Sequence, residues 1–218
     1  MVEIITAKPD DIEIRQSAIE EYLGYFGSKV TPEIEPIIAA CKKEFLECVD
    51  YKACVMQVEC CEKEGKICLG FMQSESKSLA GNLKNCQTAF AFAATTGAAV
   101  QRLIARNALV SPVKGMVTDA IGSAAIEAFC DYVNRKVGDV DYLRPRFSPG
   151  YGDLPLDCQQ ILLDSLEAKK HIGLALTESK MLTPVKSVTA IIGLSEEKNK
   201  CKNKKGCMVC DRKNCPYS

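Results

Sequence analysis

The stretch RPRFSPGYGDLP, residues 144–155, combines charged, aromatic and backbone-restricting residues in a pattern that could bind a ligand. Its prolines fix their own φ and bias the preceding residues toward extended conformations, so Arg146 is presented from a stiff segment. Gly150 permits a close backbone approach, and the ring of Tyr151 follows directly. Such a segment suits a ligand with an anionic group and a flat ring, bound by a guanidinium, backbone amides and a tyrosine. The alternative is a rigid connection whose arginines are merely exposed.

Four cysteines near the end of the sequence have a spacing that could hold a metal. The segment CKNKKGCMVCDRKNCPYS follows a C-x5-C-x2-C-x4-C pattern, formed by Cys201, Cys207, Cys210 and Cys215. Four thiolates this close in sequence can complete a tetrahedral zinc site or hold an iron–sulfur cluster. A single C-x-x-C is less diagnostic than two of them, so a reduced tail without metal stays open.

The chain has 13 cysteines in all, and an odd number of them fits reduced thiols better than a disulfide framework. Cys60 and Cys61, beside a predicted hairpin turn, could bind a metal together with Cys68, but core or surface thiols are the favoured interpretation. His171 is the single histidine, and its place near a predicted helix C-terminus, where an imidazolium complements the helix dipole, indicates a structural role. No other histidine is present to serve a catalytic triad.

The composition argues against nucleic acids and membranes as partners. Lys and Arg number 28, Asp and Glu also number 28, and so the chain lacks the basic excess that phosphate binding requires. No apolar run reaches the ~18 residues of a membrane span. The opening MVEIITAKPDDIEI lacks the basic and apolar regions of a secretory signal. We therefore expect a folded cytoplasmic protein that binds neither nucleic acid nor membrane.

Helices are expected on both sides of the 144–155 stretch. AAVQRLIARNAL should form one helix, and residues 115–137 should form the next. The apolar stripe of the 115–137 helix contains Val117, Ile121, Ala125, Ala128 and Tyr132. Another face of the same helix carries polar residues at i+4 steps, which could bind a ligand or only face solvent: Asp119, Ser123, Glu127 and Asp131. After the stretch, Asp157 is expected to cap a helix that ends at Gly173.

The remaining segments indicate an α+β fold, an antiparallel sheet with helices packed around it. Residues 9–48 are predicted to be mostly helical, with Thr31 as the N-cap of a second helix. Residues 51–73 should form a hairpin that turns at 62–66. TAFAFAATTG, LALTESKML and KSVTAIIGL are expected to be strands. The predicted organisation is residues 1–78 as helices and hairpin of the same body, 79–194 as the core, and 195–218 as a separate cysteine-rich tail.

These motifs resemble a known family. The R-x-x-x-G-Y pattern formed by Arg146, Gly150 and Tyr151 is similar to the motif of the activation domain of cobalamin-dependent methionine synthase, which binds S-adenosylmethionine. LKNCQTAFAFAATTG, IGSAAIEAFCDYV and MLTPVKSVTAIIG resemble segments of the same family. The resemblance extends over residues 79–194, and it implies the same α+β fold.

The resemblance also implies roles for particular residues. It assigns the ligand carboxylate to Arg146 and backbone contacts to Ser148, with Gly150 and Tyr151 completing the motif. It implies that Glu127 is the helix glutamate that helps to hold the ligand. The family has a tyrosine in its final strand where this chain has Ile191 and Ile192. It also uses an aspartate from an N-terminal arm, which has no identifiable counterpart in this sequence.

The expected function is that of a free-standing reactivation protein, since the sequence has no methyltransferase or corrinoid-binding module. It would bind S-adenosylmethionine and support reductive methylation of cob(II)alamin to methylcobalamin. The cobalamin would be carried by a corrinoid-binding methionine synthase that lacks its own activation domain, and flavodoxin or ferredoxin would supply the electron. Two alternatives stay open: a metal or iron–sulfur redox adaptor for a corrinoid protein, and an S-adenosylmethionine sensor.

Overall fold

The computed structural model of the protein describes residues 1–198, in which one antiparallel sheet lies between two groups of helices. The strands are β1 (Val2–Ala7), β2 (Tyr51–Lys63), β3 (Lys66–Leu69), β4 (Met72–Ser74), β5 (Cys86–Thr95), β6 (Ala175–Leu176), β7 (Leu182–Thr183) and β8 (Ser187–Ser195). The helices are α1 (Gln16–Tyr22), α2 (Glu35–Leu46), α3 (Lys77–Asn82), α4 (Ala98–Val110), α5 (Pro112–Val137), α6 (Cys158–Ser165) and α7 (Ala168–Ile172). The expected α+β fold is confirmed.

The main sheet has the strand order β4-β3-β2-β5-β8, and β1 also pairs with β2. The length of β2 makes this possible, because β1 pairs with residues 51–56 and β3 with residues 60–63 of the same strand. All of these pairings are antiparallel. The short β6 and β7 form a separate two-stranded ribbon.

Strand β5 separates two hydrophobic cores, because successive side chains point to opposite faces of a sheet. Phe90 and Phe92 enter the core shared with α1, α2, α4 and α5. Ala89 and Ala91 enter the other core, beneath α3, α6 and α7. Burial on both faces explains the nearly continuous apolar character of TAFAFAATT, which was expected to be a buried strand.

Helix α5 begins at Pro112, three residues before the predicted start, since proline suits the first turn of a helix. The predicted apolar stripe packs against the core as expected: Val117, Ile121 and Ala125 are buried, and Ala128 and Tyr132 are partly buried. Helix α4 crosses it closely at Gly115, where a Cβ atom would lie 2.7 Å from Cα of Ala108.

The prediction that residues 9–48 are mostly helical holds for just over half of them, whereas strand β1 before them was not predicted. The chain begins with β1, and helix is confined to a short 3-10 turn at Pro9–Asp11 and to α1 and α2. Thr31 is not the N-cap of α2, which starts at Glu35; its carbonyl instead accepts from the N–H of Ile34 in a preceding turn. Strand β1 escaped prediction because one edge of it pairs with β2, a partner about fifty positions away, rather than with a local hairpin.

Three predictions after residue 155 also need correction. Asp157 makes no capping hydrogen bond to α6 and instead pairs with Lys180. The helix expected up to Gly173 is divided into α6 and α7 at Glu167, which adopts a left-handed conformation with φ of 47°. LALTESKML is largely a turn, with only the two-residue strands β6 and β7 at its ends.

Candidate functional site

Arg146 is positioned by a short extended segment that lies along the edge of β8. The Phe147 N–H donates to the Ile191 carbonyl at 2.9 Å, and the Ile191 N–H donates back at 2.8 Å. The Arg144 N–H donates to the Gly193 carbonyl at 2.8 Å. Because neighbouring side chains alternate, Phe147 enters the core beneath α6 while Arg146 points toward α5.

The guanidinium of Arg146 makes ion pairs with two carboxylates of α5. Its Nη2 lies 2.6 Å from Oε2 of Glu127, and its Nη1 lies 2.7 Å from Oδ1 of Asp131. The Arg146 side chain is 21% exposed, whereas those of Glu127 and Asp131 are 45% and 57% exposed. The site therefore has a largely buried cation between two acids that are open to solvent.

Electrostatics keep this arginine charged and the adjacent thiol neutral. Burial acts to lower the pKa of Arg146, but the neighbouring acidic groups outweigh that effect and raise the pKa above its usual value. Cys130 lies beside the guanidinium and is fully buried, and burial raises the pKa of its thiol well above the usual range. The Cys130 thiol is accordingly protonated at neutral pH.

The polar stripe of α5 is not a simple solvated face, because a second cation contacts its other half. Lys186 Nζ lies 2.8 Å from Oδ1 of Asp119 and 2.8 Å from Oγ of Ser123. Its side chain is 14% exposed and lies across Gly122, where a Cβ atom would be 3.0 Å from the lysine Cγ. All four stripe residues thus contact Arg146 or Lys186.

The loop after Arg146 presents Tyr151 to solvent. Gly150 has φ of +90°, a left-handed conformation that glycine adopts readily. Its N–H donates to the Leu154 carbonyl at 2.9 Å, and the Tyr151 N–H donates to the Ser148 carbonyl at 3.1 Å. The N–H groups of Gly150 and Tyr151 therefore already donate within the loop and are not free to donate to a ligand. The Tyr151 ring is 58% exposed.

Asp153 fastens this loop to the start of α3. Its carboxylate accepts from the N–H of Lys77 at 2.8 Å, from the N–H of Ser78 at 3.1 Å and from the Ser76 hydroxyl. Ser76 is itself the N-cap of α3, accepting from the Leu79 N–H at 3.0 Å. These hydrogen bonds, of which the one from Ser76 is the largest cause, lower the pKa of Asp153 well below its usual value.

Sequence reasoning missed Tyr22, at the end of α1. Partial burial raises the pKa of its phenol, and the nearby charges of Glu127 and Tyr151 add to this effect while Arg146 opposes it. The ring is 53% exposed, and it lines a surface groove of about 400 Å³ with Met116, Asp119 and Ser123. No motif marked Tyr22, because its place beside α5 depends on how α1 packs.

The structure brings Glu127 and Arg146 into direct contact, with Ser148, Gly150 and Tyr151 in the adjoining loop. Ile191 and Ile192 are both fully buried, so β8 contributes no exposed side chain at these positions. The cysteines proposed as metal ligands, Cys201, Cys207, Cys210 and Cys215, lie outside the described residues.

Two further observations concern residues 1–198 alone. In this part of the chain, no three His, Cys, Asp or Glu side chains are arranged to hold a metal ion. Cys60, Cys61 and Cys68 therefore do not form a metal site there. None of the helices within the same range is long and apolar enough to cross a membrane.

Comparisons with known proteins identify the fold. No protein-family model matches the chain, and no curated protein matches its sequence. Among solved structures, it matches the crystal structure of the MetH reactivation domain bound to AdoHcy with a TM-score of 0.68 and 17% sequence identity. The match covers 91% of this chain and 80% of that chain. The chain therefore has the fold of the MetH reactivation domain, as the resemblance of its motifs implied.

Proposed function

We propose that this protein binds S-adenosylmethionine and supports the reductive methylation of cob(II)alamin carried by a corrinoid partner. The partner we propose is a methionine synthase that lacks its own activation domain, with flavodoxin or ferredoxin as the electron donor. The shared fold with a reactivation domain that binds AdoHcy supports this assignment. The observation that carries it is the ion pair between Arg146 and Glu127, which lies beside two exposed tyrosines.

An adjacent guanidinium and carboxylate complement the two charges of an α-amino acid. The ligand carboxylate would replace Asp131 on Arg146, and the ligand ammonium would pair with Glu127. No buried charge is left unpaired by this exchange, because the released Asp131 is 57% exposed. Glu127 and Asp131 are half-exposed, which allows them to change partners.

The exposed rings suit the remainder of the ligand. Tyr151 and Tyr22 are more than half exposed, and a purine gains about 1–3 kcal/mol by stacking on an aromatic side chain. Gly150 leaves the loop without a side chain directly before Tyr151, so a flat group can approach the backbone there. The loop amides could reorient toward the ligand only if their present hydrogen bonds open.

The contribution of the chain itself is to bind and orient. S-adenosylmethionine supplies an electrophilic methyl group, and fixing both ends of the ligand would hold that group toward the partner. A competing nucleophile in the site would divert the methyl group. Within residues 1–198, Cys130 is the thiol that interacts electrostatically with Arg146, and its buried, protonated state removes it as a competitor.

A spectroscopic reactivation assay tests the proposal. A methionine synthase without its activation domain, holding cob(II)alamin, is mixed with reduced flavodoxin, S-adenosylmethionine and this protein. We expect methylcobalamin to form only when the protein and S-adenosylmethionine are both present. At a sub-saturating concentration of S-adenosylmethionine, Arg146→Ala should lower the rate of methylcobalamin formation about 10-fold or more. Arg106→Ala is the matched control, because Arg106 pairs with Glu44 at 2.7 Å outside the site and should retain full activity.

The negative outcomes separate the alternatives. Tight binding of S-adenosylmethionine without any methylcobalamin would contradict reactivation and leave a sensor. Reduction of the cobalamin without ligand binding would instead leave a redox adaptor.

A further inference from the structure

Two cysteines face each other across the β2–β3 hairpin. The hairpin closes through Glu64 and Gly65, whose φ values of 52° and 75° are those of a tight two-residue turn. Such a turn fixes the register of the strands, and the register places Cys61 directly opposite Cys68. Both cysteines are free thiols in the structure.

The pair lies on the outer face of the hairpin. Residues directly opposite in an antiparallel pair point to the same face, and Cys61 is exposed while Cys68 is partly buried. The other face of the same strands is buried, with Cys60, Ile67 and Leu69 in the core. Solvent and small molecules can therefore reach Cys61 first.

The strand geometry permits a covalent link between these two residues. Opposed Cα atoms in an antiparallel pair are about 4.5 or 5.5 Å apart. Both distances lie within the range of about 4.4–6.8 Å that disulfides span. The Cys68 thiol is held within the hairpin, where it contacts the Lys66 carbonyl oxygen at 3.9 Å.

The next pair of residues on this face is basic. Lys63 lies opposite Lys66, beside the two cysteines, and both lysines are exposed. Lys66 also pairs with Glu75 at 2.8 Å, so Lys63 carries the charge that faces solvent most freely. Exposed Glu59 lies on the same face two residues before Cys61, so the charges around the two cysteines are mixed and do not select a charged disulfide.

We propose that Cys61 and Cys68 are a redox-active dithiol that exchanges with low-molecular-weight disulfides. The Cys61 thiolate attacks one sulfur of oxidised glutathione, which forms a mixed disulfide and releases one glutathione thiol. The Cys68 thiolate then attacks the Cys61 sulfur and releases the second glutathione. Two protein thiols are oxidised, one disulfide is reduced to two thiols, and the two protons pass to glutathione. This proposal does not depend on the function proposed above.

Peptide mapping of the whole protein tests it. The reduced protein is incubated anaerobically with oxidised glutathione, the free thiols are alkylated, and the protein is cleaved after lysine. Cleavage after Lys63 and Lys66 separates the two cysteines, so their disulfide joins the peptides 53–63 and 67–77. Cys61→Ser and Cys68→Ser identify the linked positions. Cys158→Ser is the matched control, since Cys158 is a partly buried thiol on another element.

We expect the linked peptides to form in the wild type and in Cys158→Ser, and to fall at least about 10-fold in Cys61→Ser and Cys68→Ser. A thiol held opposite the mixed disulfide acts at an effective concentration in the millimolar range or above, which favours ring closure. Glutathione adducts at Cys61 without linked peptides would overturn the proposal. The same holds if linkage persists in Cys61→Ser, since Cys60 would then be the reacting residue.

Discussion

Nη2 of Arg146 lies 2.6 Å from Oε2 of Glu127, and this contact joins the edge of the sheet to the middle of α5. Arg146 and Glu127, which the family resemblance implies hold one ligand, are thus already paired with each other. Binding of a zwitterionic ligand, as we propose it, would require these ion pairs to exchange partners.

Asp131 should act as a competitor of the ligand for Arg146. Asp131→Asn removes its carboxylate from Nη1 while Glu127 stays in place. A half-exposed ion pair is worth up to about 1 kcal/mol, so we expect affinity for S-adenosylmethionine to rise about 5-fold. Calorimetric titration measures this directly. Glu44→Gln, which removes the carboxylate that pairs with Arg106 outside the site, should leave the affinity unchanged. Weaker binding by Asp131→Asn would mean that Asp131 orients Arg146 rather than competes for it.

Asp153 should hold the loop of residues 148–154 in place. In Asp153→Ala the N–H groups of Lys77 and Ser78 lose their acceptor, so we expect faster amide hydrogen exchange at both positions and weaker ligand binding. The lowered pKa of Asp153 means that its contribution is complete above the usual carboxyl pKa of 3.8 and is lost as the pH falls below it. Asp157→Ala removes only an exposed pair with Lys180 and serves as the control. Unchanged exchange at Lys77 and Ser78 would show that the loop is held by other contacts.

Gly115 should be required for the close packing of α4 on α5. Gly115→Ala places a Cβ atom 2.7 Å from Cα of Ala108, and overpacking of this kind costs about 1–3 kcal/mol. The gain in helix propensity, about 1 kcal/mol, offsets only part of it. We expect a lower free energy of unfolding in urea. Gly81→Ala, in α3 with no atom within 4 Å of the added Cβ, should be neutral or stabilising. Equal stability of the two variants would refute the steric account.

Alkaline pH should destabilise the protein through its buried thiols. Burial raises the pKa of Cys54 from its usual 9.0 to about 12 and that of Cys60 to about 11. Above pH 9.0 the unfolded chain releases protons that the folded protein retains, so stability falls as the pH rises. We expect the urea midpoint, measured with reductant present, to decrease from pH 9 to 11. Cys54→Ala should flatten this dependence, whereas Cys61→Ala, at an exposed position, should not. Parallel curves for wild type and Cys54→Ala would argue against this cause.

The sequence predicted the helices and strands whose apolar residues repeat with a regular local period. The apolar stripe of α5 and the nearly continuous apolar run of β5 both follow from burial repeated along a single element, and both were recognised. Strand β1 was not recognised, because its place at the sheet depends on pairing with β2 about fifty residues away.

For the candidate site too, the sequence indicated individual residues but not the contacts between elements. Arg146 and Glu127 were chosen from the sequence as candidates, but their pairing with each other depends on a contact between the sheet edge and α5. The i+4 stripe was visible, but the cations that contact it come from Arg146 and Lys186, which no helical pattern can indicate. Tyr22 is beside the site only because α1 packs against α5, and its own surroundings in the sequence carry no signal.

Titration with S-adenosylmethionine by calorimetry, for the wild type, Arg146→Ala and Arg106→Ala, tests the central claim most directly. Losing a charge-assisted hydrogen bond costs about 1.5–3 kcal/mol, which corresponds to about 10-fold or more in affinity. The account predicts saturable binding to the wild type, weakening by that factor in Arg146→Ala, and no change in Arg106→Ala. Equal affinity in wild type and Arg146→Ala, or no binding to the wild type, would contradict it.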